Sequence, residues 1–466
     1  MINSSYPDAK KAEWRALLEQ YAAVSGFRTG LVVDVQEILS IEKQLDLLAI
    51  EAARTEFLDE AVAEEEATEI EEPVPVFQAQ VYFGDLGIVL VDIDAVAWAA
   101  PYVNENRRGA APKTVADVLR PGDIVRFRLS ESGELRLGQV PEVQGALTSL
   151  DPLDGAISAL SGGFDFSLSK YNRATQSKRQ PGSAFKPFVF LAGLENGLRP
   201  ETKFADRPIT IDDWSPKNYA GKYRGRITFA QALAYSSNSV AVQVSERVGR
   251  NRVIDAARRL GLTSHIPNHP SMALGTAEVG LMEMTAAYAA LANKGIGAMP
   301  HGILEVRDGR DRVLYRRHGS GRGQVARPWH VAELGQMLAR TIRIGTGRNA
   351  RLGRPAAGKT GTSQDYRDAW FLGYTSHLVA GVWLGNDNGA PMNRVTGGGA
   401  PARLWRDFMV AAHKDLPARP LKQAKGRASA GQRGETFFDK LWKSLGSGGS
   451  SNPRNNSNDQ NNRDHP

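Results

Sequence analysis

Apolar residues recur at helical spacing over residues 12–21 and again over 38–57, and the spacing predicts an amphipathic helix at each place. The pattern then breaks. Residues 59–72 are acidic with no basic residue and end at Pro73. Self-repulsion opposes packing in such a run, so it reads as a solvated linker or helix face. Beyond it the alternation shortens to strand-like pieces at 76–83, 88–91, 124–129 and 135–140. Turn signals separate them at Gly84-Asp85, Pro121-Gly122-Asp123 and Ser132-Gly133. Several short strands so close together predict a small β barrel or sandwich, a separate accessory domain.

From Gln144 the pattern is mixed. Residues 147–150 and 156–160 read as two strands joined by Asp151-Pro152-Leu153-Asp154-Gly155. Helical stretches follow, among them 228–235, 241–248 and 278–291. Three late segments at 358–363, 369–374 and 378–384 have the short gaps of an antiparallel meander. Helices between early and late strands of one sheet predict an α+β fold, an antiparallel sheet with flanking helices. After Leu416 the composition turns to Pro, Lys, Ala and Gly, and from Gly446 to Gly, Ser, Asn and Asp, which predicts a disordered tail. One amphipathic helix over 437–445 is expected before it. The expected division is a linker region with helices and the acidic run at 1–73, the β accessory domain at 74–140, a mixed domain at 141–416 and the tail at 417–466.

Composition narrows the function without choosing it. The chain of 466 residues is 41% hydrophobic and 23% charged, ordinary for a globular protein of two or three domains. Its net charge of +7 is compatible with nucleic acid, an anionic membrane surface or an acidic polymer. No RNP motif, zinc-finger spacing or basic-aromatic stripe supports nucleic acid, so none is expected as a partner. The absence of cysteine removes disulfides, thiolate catalysis and cysteine-ligated metals. The N-terminus has no basic segment followed by an apolar one, and no run reaches the roughly 18 apolar residues of a membrane span.

The chemistry concentrates in three short motifs. In Arg179-Gln180-Pro181-Gly182-Ser183-Ala184-Phe185-Lys186-Pro187, Pro181-Gly182 breaks the preceding structure. Apolar residues then recur at Phe185, Phe188, Val189, Leu191 and Leu194, which predicts a helix from about Ser183 to Asn196-Gly197. Ser183 and Lys186 share one face of it. A serine hydroxyl needs a neighbour to take its proton, and a lysine does so only when burial or a nearby cation lowers its pKa. Backbone N–H groups at the helix start stabilise a developing oxyanion. S-x-x-K alone is weak, because Ser167 and Lys170 repeat it. Two later motifs change its weight: Ser236-Ser237-Asn238 in a polar turn, and Lys359-Thr360-Gly361 followed by Thr362 at the start of the meander. S-x-x-K, S-x-N and K-T-G in this order are the motif set of penicillin-interacting serine enzymes.

The segment from Gln144 to Met409 closely resembles the transpeptidase domain of class A penicillin-binding proteins. Matching stretches include 143–147, Tyr171-Asn172-Arg173-Ala174-Thr175-Gln176, Trp214-Ser215-Pro216-Lys217-Asn218-Tyr219, 273–276, Asp368-Ala369-Trp370-Phe371 and Thr396-Gly397-Gly398-Gly399. The β-rich segment resembles that family's OB-like accessory domain. The resemblance implies a peptidoglycan DD-transpeptidase with some D-Ala-D-Ala carboxypeptidase activity. Ser183 would attack the D-Ala-D-Ala carbonyl of a stem peptide, and Lys186 would take its proton, shared with Ser236. Asn238 would bind the substrate amide; Lys359, Thr360, Gly361 and Thr362 would hold the terminal carboxylate and the donor backbone. The N–H groups of Ser183 and Thr362 would form the oxyanion hole. β-Lactams would block Ser183. The resemblance also implies a separate glycosyltransferase or a divisome or elongasome protein as partner, the periplasmic face of the inner membrane as location, and no cofactor.

Some features argue for less. Gly397-Gly398-Gly399 lacks the Lys-Ser/Thr and helix of a phosphate loop and is expected to turn the chain near the cleft. His265 and His269 are flanked by Pro267 and Pro270, which disfavours a helical metal pair, and no metal is expected. Trp214, Trp370 and Trp383 are expected in the core or cleft wall. The family's membrane anchor and glycosyltransferase domain have no counterpart here, so the chain is expected to begin in the linker between catalytic domains, as a fragment, a split-gene product or a misplaced start. Glycan polymerisation is not expected. Two other readings compete: an inactive scaffold that binds cell-wall enzymes, and a β-lactamase, for which no Glu-x-x-Leu-Asn segment lies between the second and third motifs.

Overall fold

The computed structural model describes residues 6–38, 76–104, 107–130, 132–319 and 321–421. Positions 39–57 of the second expected helix, the acidic run, the 437–445 helix and residues 422–466 of the tail lie outside them. Helix α1 (Asp8–Leu18) begins directly after Pro7, which stands at its N-cap, earlier than the periodicity predicts. Trp14 on it lies 5.3 Å from Tyr82, tying the helix to the first sheet.

That sheet holds a strand the apolar pattern did not separate from the linker. β1 (Arg28–Ile38) is its central strand, flanked by β2 (Val76–Phe83), β3 (Gly87–Val91), β4 (Ile124–Leu129) and β5 (Leu135–Gly138) in the order β3-β2-β1-β4-β5. Every pairing is antiparallel. Val32, Ala79, Val81, Phe83, Val91 and Phe127 form its core. The expectation that residues 1–73 are linker is therefore corrected. A register shift between Val32 and Asp34 breaks the alternation of β1, and its partner strand lies far along the chain, so no hairpin signal marks it.

The second unit begins with β6 (Gln144–Leu150) and β7 (Ile157–Ser161), which pair as the sequence predicts. Helix α2 (Lys186–Glu195) is buried on all sides but its last residue, as expected of a helix apolar all round. β8 (Lys203–Asp206) pairs with β9 (Gly225–Thr228), and a capping box of Thr228 and Gln231 starts α3 (Phe229–Ala234). α4 (Asn238–Val248), α5 (Arg250–Leu260), α6 (Leu281–Ala292) and α7 (Pro328–Arg343) complete the helical part. The meander is β10 (Ala357–Thr362), β11 (Asp368–Tyr374) and β12 (Val379–Gly385), and α8 (Ala400–Ala412) follows.

The sheet order β10-β11-β12-β6-β7 puts the late meander and the early hairpin side by side, the α+β arrangement expected. α2, α4, α5, α6 and most of α7 bury their apolar faces in one large core, while Phe371, Ala380, Val382, Trp405 and Met409 form a second with α8. β11 is buried along its whole length. β10, which carries K-T-G, is an edge strand. The two units touch through the loop after β7. Ser25 N donates to Asp165 Oδ2 at 2.7 Å, and the Phe27 and Phe164 rings lie 6.0 Å apart, centroid to centroid. No helix among the described residues is long and apolar enough to cross a membrane.

Candidate active site

Ser183 sits in a 3-10 turn, Gly182–Phe185, that runs into α2 at Lys186. In a 3-10 turn residues three apart eclipse, so the serine and the lysine project the same way. The turn is locked against the motif strand backbone to backbone. Gly182 has φ +51, and a Cβ there would lie 2.4 Å from Thr362 O. A Cβ on Gly361 would lie 2.1 Å from Pro181 O. Only glycine fits either position, which gives a physical reason for a glycine in both motifs. Trp370, next to β10, is 1% exposed and donates through Nε1 to Gln180 O at 2.9 Å. It braces the segment before Ser183 and has no free face for a substrate.

The S-x-N turn lies between α3 and α4. Ser236 holds φ +60, a left-handed conformation that costs a non-glycine residue energy. Ser237 caps α4 by accepting from Val240 N at 3.1 Å. This places Ser236 and Asn238, both half-buried, over α2. Lys186 Nζ donates to Ser236 O at 2.7 Å, to Asn238 Oδ1 at 2.6 Å and to Ser236 Oγ at 3.2 Å. From the other side, Lys359 Nζ meets Ser236 Oγ at 2.9 Å and Thr360 O at 3.0 Å. One serine oxygen is thus bracketed by two lysines.

Both lysines are fully buried. Burial penalises the charged form and pulls Lys186 well below the usual lysine range; Lys359 lowers it further, and Asp206 acts against both. Burial brings Lys359 to about 7. Two ammonium groups so close cannot both stay charged at little cost, and the pair titrates as a unit.

The eight residues singled out from sequence lie together where the Ser183 turn, the S-x-N turn and β10 meet. Lys186, Ser236, Asn238, Lys359 and Thr360 share the hydrogen-bond network, and Gly361 and Thr362 abut the turn that carries Ser183. Gly397 N donates to Thr362 Oγ1 at 3.1 Å, so the glycine run does turn the chain at the cleft. The decoy Ser167 and Lys170 are exposed, and Ser167 Oγ donates to Ala23 O at 2.9 Å in the junction between the units. Sequence reasoning gave no role to Thr346, whose Oγ1 lies 2.7 Å from Thr360 Oγ1, or to Asp206, Asn218 and Ser237 behind the S-x-N turn. Asn218 lay within a recognised stretch. Asp206 had no local signal.

A fully buried helix whose first turn abuts an edge strand of an antiparallel sheet, with two buried lysines around a serine, defines the class: the penicillin-interacting serine enzymes. The particular family follows from sequence profiles. The penicillin-binding protein transpeptidase domain matches residues 145–389, and the penicillin-binding protein OB-like domain matches 40–143. The chain belongs to the penicillin-binding protein transpeptidase family. Penicillin-binding protein 1A of Pseudomonas aeruginosa is 35% identical over 397 residues, covering 72% of this chain and 48% of that protein. Penicillin-binding protein 1A of Neisseria meningitidis is 37% identical over 357 residues, covering 73% and 44%. The chain thus spans about half the length of the curated relatives it matches. The crystal structure of penicillin-binding protein 1A from Haemophilus influenzae superimposes with a TM-score of 0.71 at 23% identity, covering 91% of this chain and 62% of that one, a likeness of fold. The PonA1 protein from Mycobacterium tuberculosis in complex with penicillin V gives a TM-score of 0.57 at 28% identity over 62% of this chain and 83% of that one.

Proposed function

We propose that this chain is a serine DD-transpeptidase that cross-links peptidoglycan stem peptides, with D-Ala-D-Ala carboxypeptidase activity when water replaces the acceptor. The observation that carries the reading is the shared Ser236 hydroxyl, held between two buried lysines beside the turn of Ser183. Ser183 Oγ attacks the penultimate D-Ala carbonyl, and neutral Lys186 takes its proton, with Ser236 as relay. The N–H groups of Ser183 and Thr362 stabilise the oxyanion. The peptide C–N bond breaks, the proton passes to the departing D-Ala amine, and an acyl ester remains on Ser183. An amine of a second stem peptide attacks that ester and restores the hydroxyl.

The free edge of β10 suits a donor peptide that adds as a strand. Lys359 and Thr360 at that edge suit its terminal carboxylate, and Asn238 its amide side chain. A β-lactam offers the same carboxylate and a strained amide whose leaving group stays tethered, so the ester persists. The substrate's location places the reaction at the periplasmic face of the inner membrane. A glycosyltransferase or a divisome or elongasome protein is the partner this reading requires, since stem peptides arrive on glycan strands.

The test is labelling with a fluorescent penicillin, followed by D-Ala release from a pentapeptide. The expected result is stable labelling of the parent and none of Ser183→Ala. An unlabelled parent would sink the reading, and rapid loss of label would convert it to a β-lactamase.

A further inference from the structure

Behind the S-x-N turn lies a buried carboxylate with no role in the chemistry so far. Asp206, the last residue of β8, is 1% exposed. Its Oδ1 accepts from Asn218 Nδ2 and from Ser237 Oγ, each at 2.7 Å, and its Oδ2 from Arg224 N at 3.0 Å. All three donors are neutral. Among the described residues Asp206 has no side-chain ion-pair partner. A buried carboxylate without a cation in contact is costly, and such groups persist where surrounding donors and a function offset the cost.

The donors lead to the cleft. Asn218 uses its full capacity: Nδ2 donates to Asp206 and to Lys222 O at 3.0 Å, and Oδ1 accepts from Asn238 N at 2.8 Å and Ser239 N at 3.1 Å. Its orientation is fixed by that pattern. Asn238 in turn presents Oδ1 to Lys186 and anchors Nδ2 on Lys217 O at 2.8 Å. Ser237 links the same carboxylate to the strained Ser236. One chain of hydrogen bonds, through Asn218 and Asn238, therefore connects Asp206 to the base, and its bond to Ser237 ties it to the neighbouring relay Ser236.

We propose that Asp206 is a positioning residue of the acylation step: it fixes the Ser236–Asn238 turn through Asn218 and Ser237 and supplies the negative charge that the buried lysine pair lacks. The inference rests on the acyl-transfer reading of the cleft. The charged groups that act on Lys186 are Lys359 from β10 and Asp206 from β8. Burial lowers Lys186 most, Lys359 lowers it further and Asp206 raises it, so the carboxylate moves upward the pH at which the base becomes neutral. A base works only unprotonated, and the low-pH limb of acylation follows the titration of the pair. Removing the negative charge favours the neutral lysine, and the limb moves to lower pH.

The experiment measures the acylation rate of the full chain with fluorescent penicillin from pH 5 to pH 9, in the parent, Asp206→Asn and Ser237→Ala, with thermal melts to confirm folding. Asp206→Asn is expected to slow acylation about tenfold or more, since misplacing catalytic groups by an ångström costs up to about 10²-fold. It should also move the midpoint of the low-pH limb down by about one unit. Ser237→Ala keeps the charge and loses one bond, so it should slow the reaction and leave the midpoint in place. A uniform slowing of Asp206→Asn at every pH would overturn the electrostatic role. An unchanged rate in Ser237→Ala would overturn the positioning role, and that measurement stands even if Asp206→Asn does not fold. A parent that takes no label would instead reject the acyl-transfer reading itself.

Discussion

Two copies of the same four-residue pattern lie among the described residues, and they share almost nothing else. Ser167 and Lys170 lie in an exposed turn, where the hydroxyl holds Ala23 O and helps fasten the accessory unit. Ser183 and Lys186 span the step from a 3-10 turn into a buried helix, and the lysine is sealed among Ser236, Asn238 and Lys359. Spacing makes a pair of side chains neighbours. Burial beside a second cation lowers the pKa of one of them, which is what a base at neutral pH requires.

Substitutions at matched positions should widen the contrast. Lys186→Met is expected to slow penicillin acylation by about 10²–10⁴-fold, the usual contribution of a general base, while Lys170→Met leaves the rate unchanged. Equal rates for the two variants would erase the distinction drawn here. Next in size is Gly361→Ala. Its new Cβ would lie 2.1 Å from Pro181 O, so the strand or the Ser183 turn must shift, and labelling should slow by up to about 10²-fold with a lower melting temperature.

A third measurement uses pH. Lys359 is brought from 10.5 to about 7 by burial. Between those values the unfolded chain holds more protons at this residue than the folded one, so its contribution to stability rises with pH across the window. The melting temperature of Lys359→Met should show a smaller rise from pH 7 to pH 9 than that of the parent. An identical rise in both would show that this lysine is not the group responsible. The smallest effect belongs to Ser167→Ala. The one hydroxyl proton of Ser167 can go to Ala23 O or to Asp165 Oδ1, and losing it should cost about 0.5–1.5 kcal/mol at the junction and leave labelling intact.

What could be read from the sequence was whatever had a local signature. The Pro-Gly break, the apolar recurrence from Phe185 to Leu194 and the close spacing of the last three strands are each written within a few residues. β1 escaped because a bulge interrupts its alternation and its partner Val76–Phe83 is remote in sequence. Asp206 escaped for a related reason. A single aspartate before Arg207-Pro208 looks like any turn residue until folding brings Asn218 and Ser237 onto it. The motif residues were legible; the residues that aim them were not, because aiming is a property of pairs far apart in the chain.

The interlocked glycines have a mechanical consequence. With Gly182 pressed on Thr362 and Gly361 on Pro181, the serine turn and the substrate edge behave as a single fixed jaw. The side facing that jaw is the α3–α4 turn of Ser236 and Asn238, itself pinned by Asp206, Asn218 and Ser237. A bulky acyl group on Ser183 would therefore have to fit between two braced walls rather than push one of them aside.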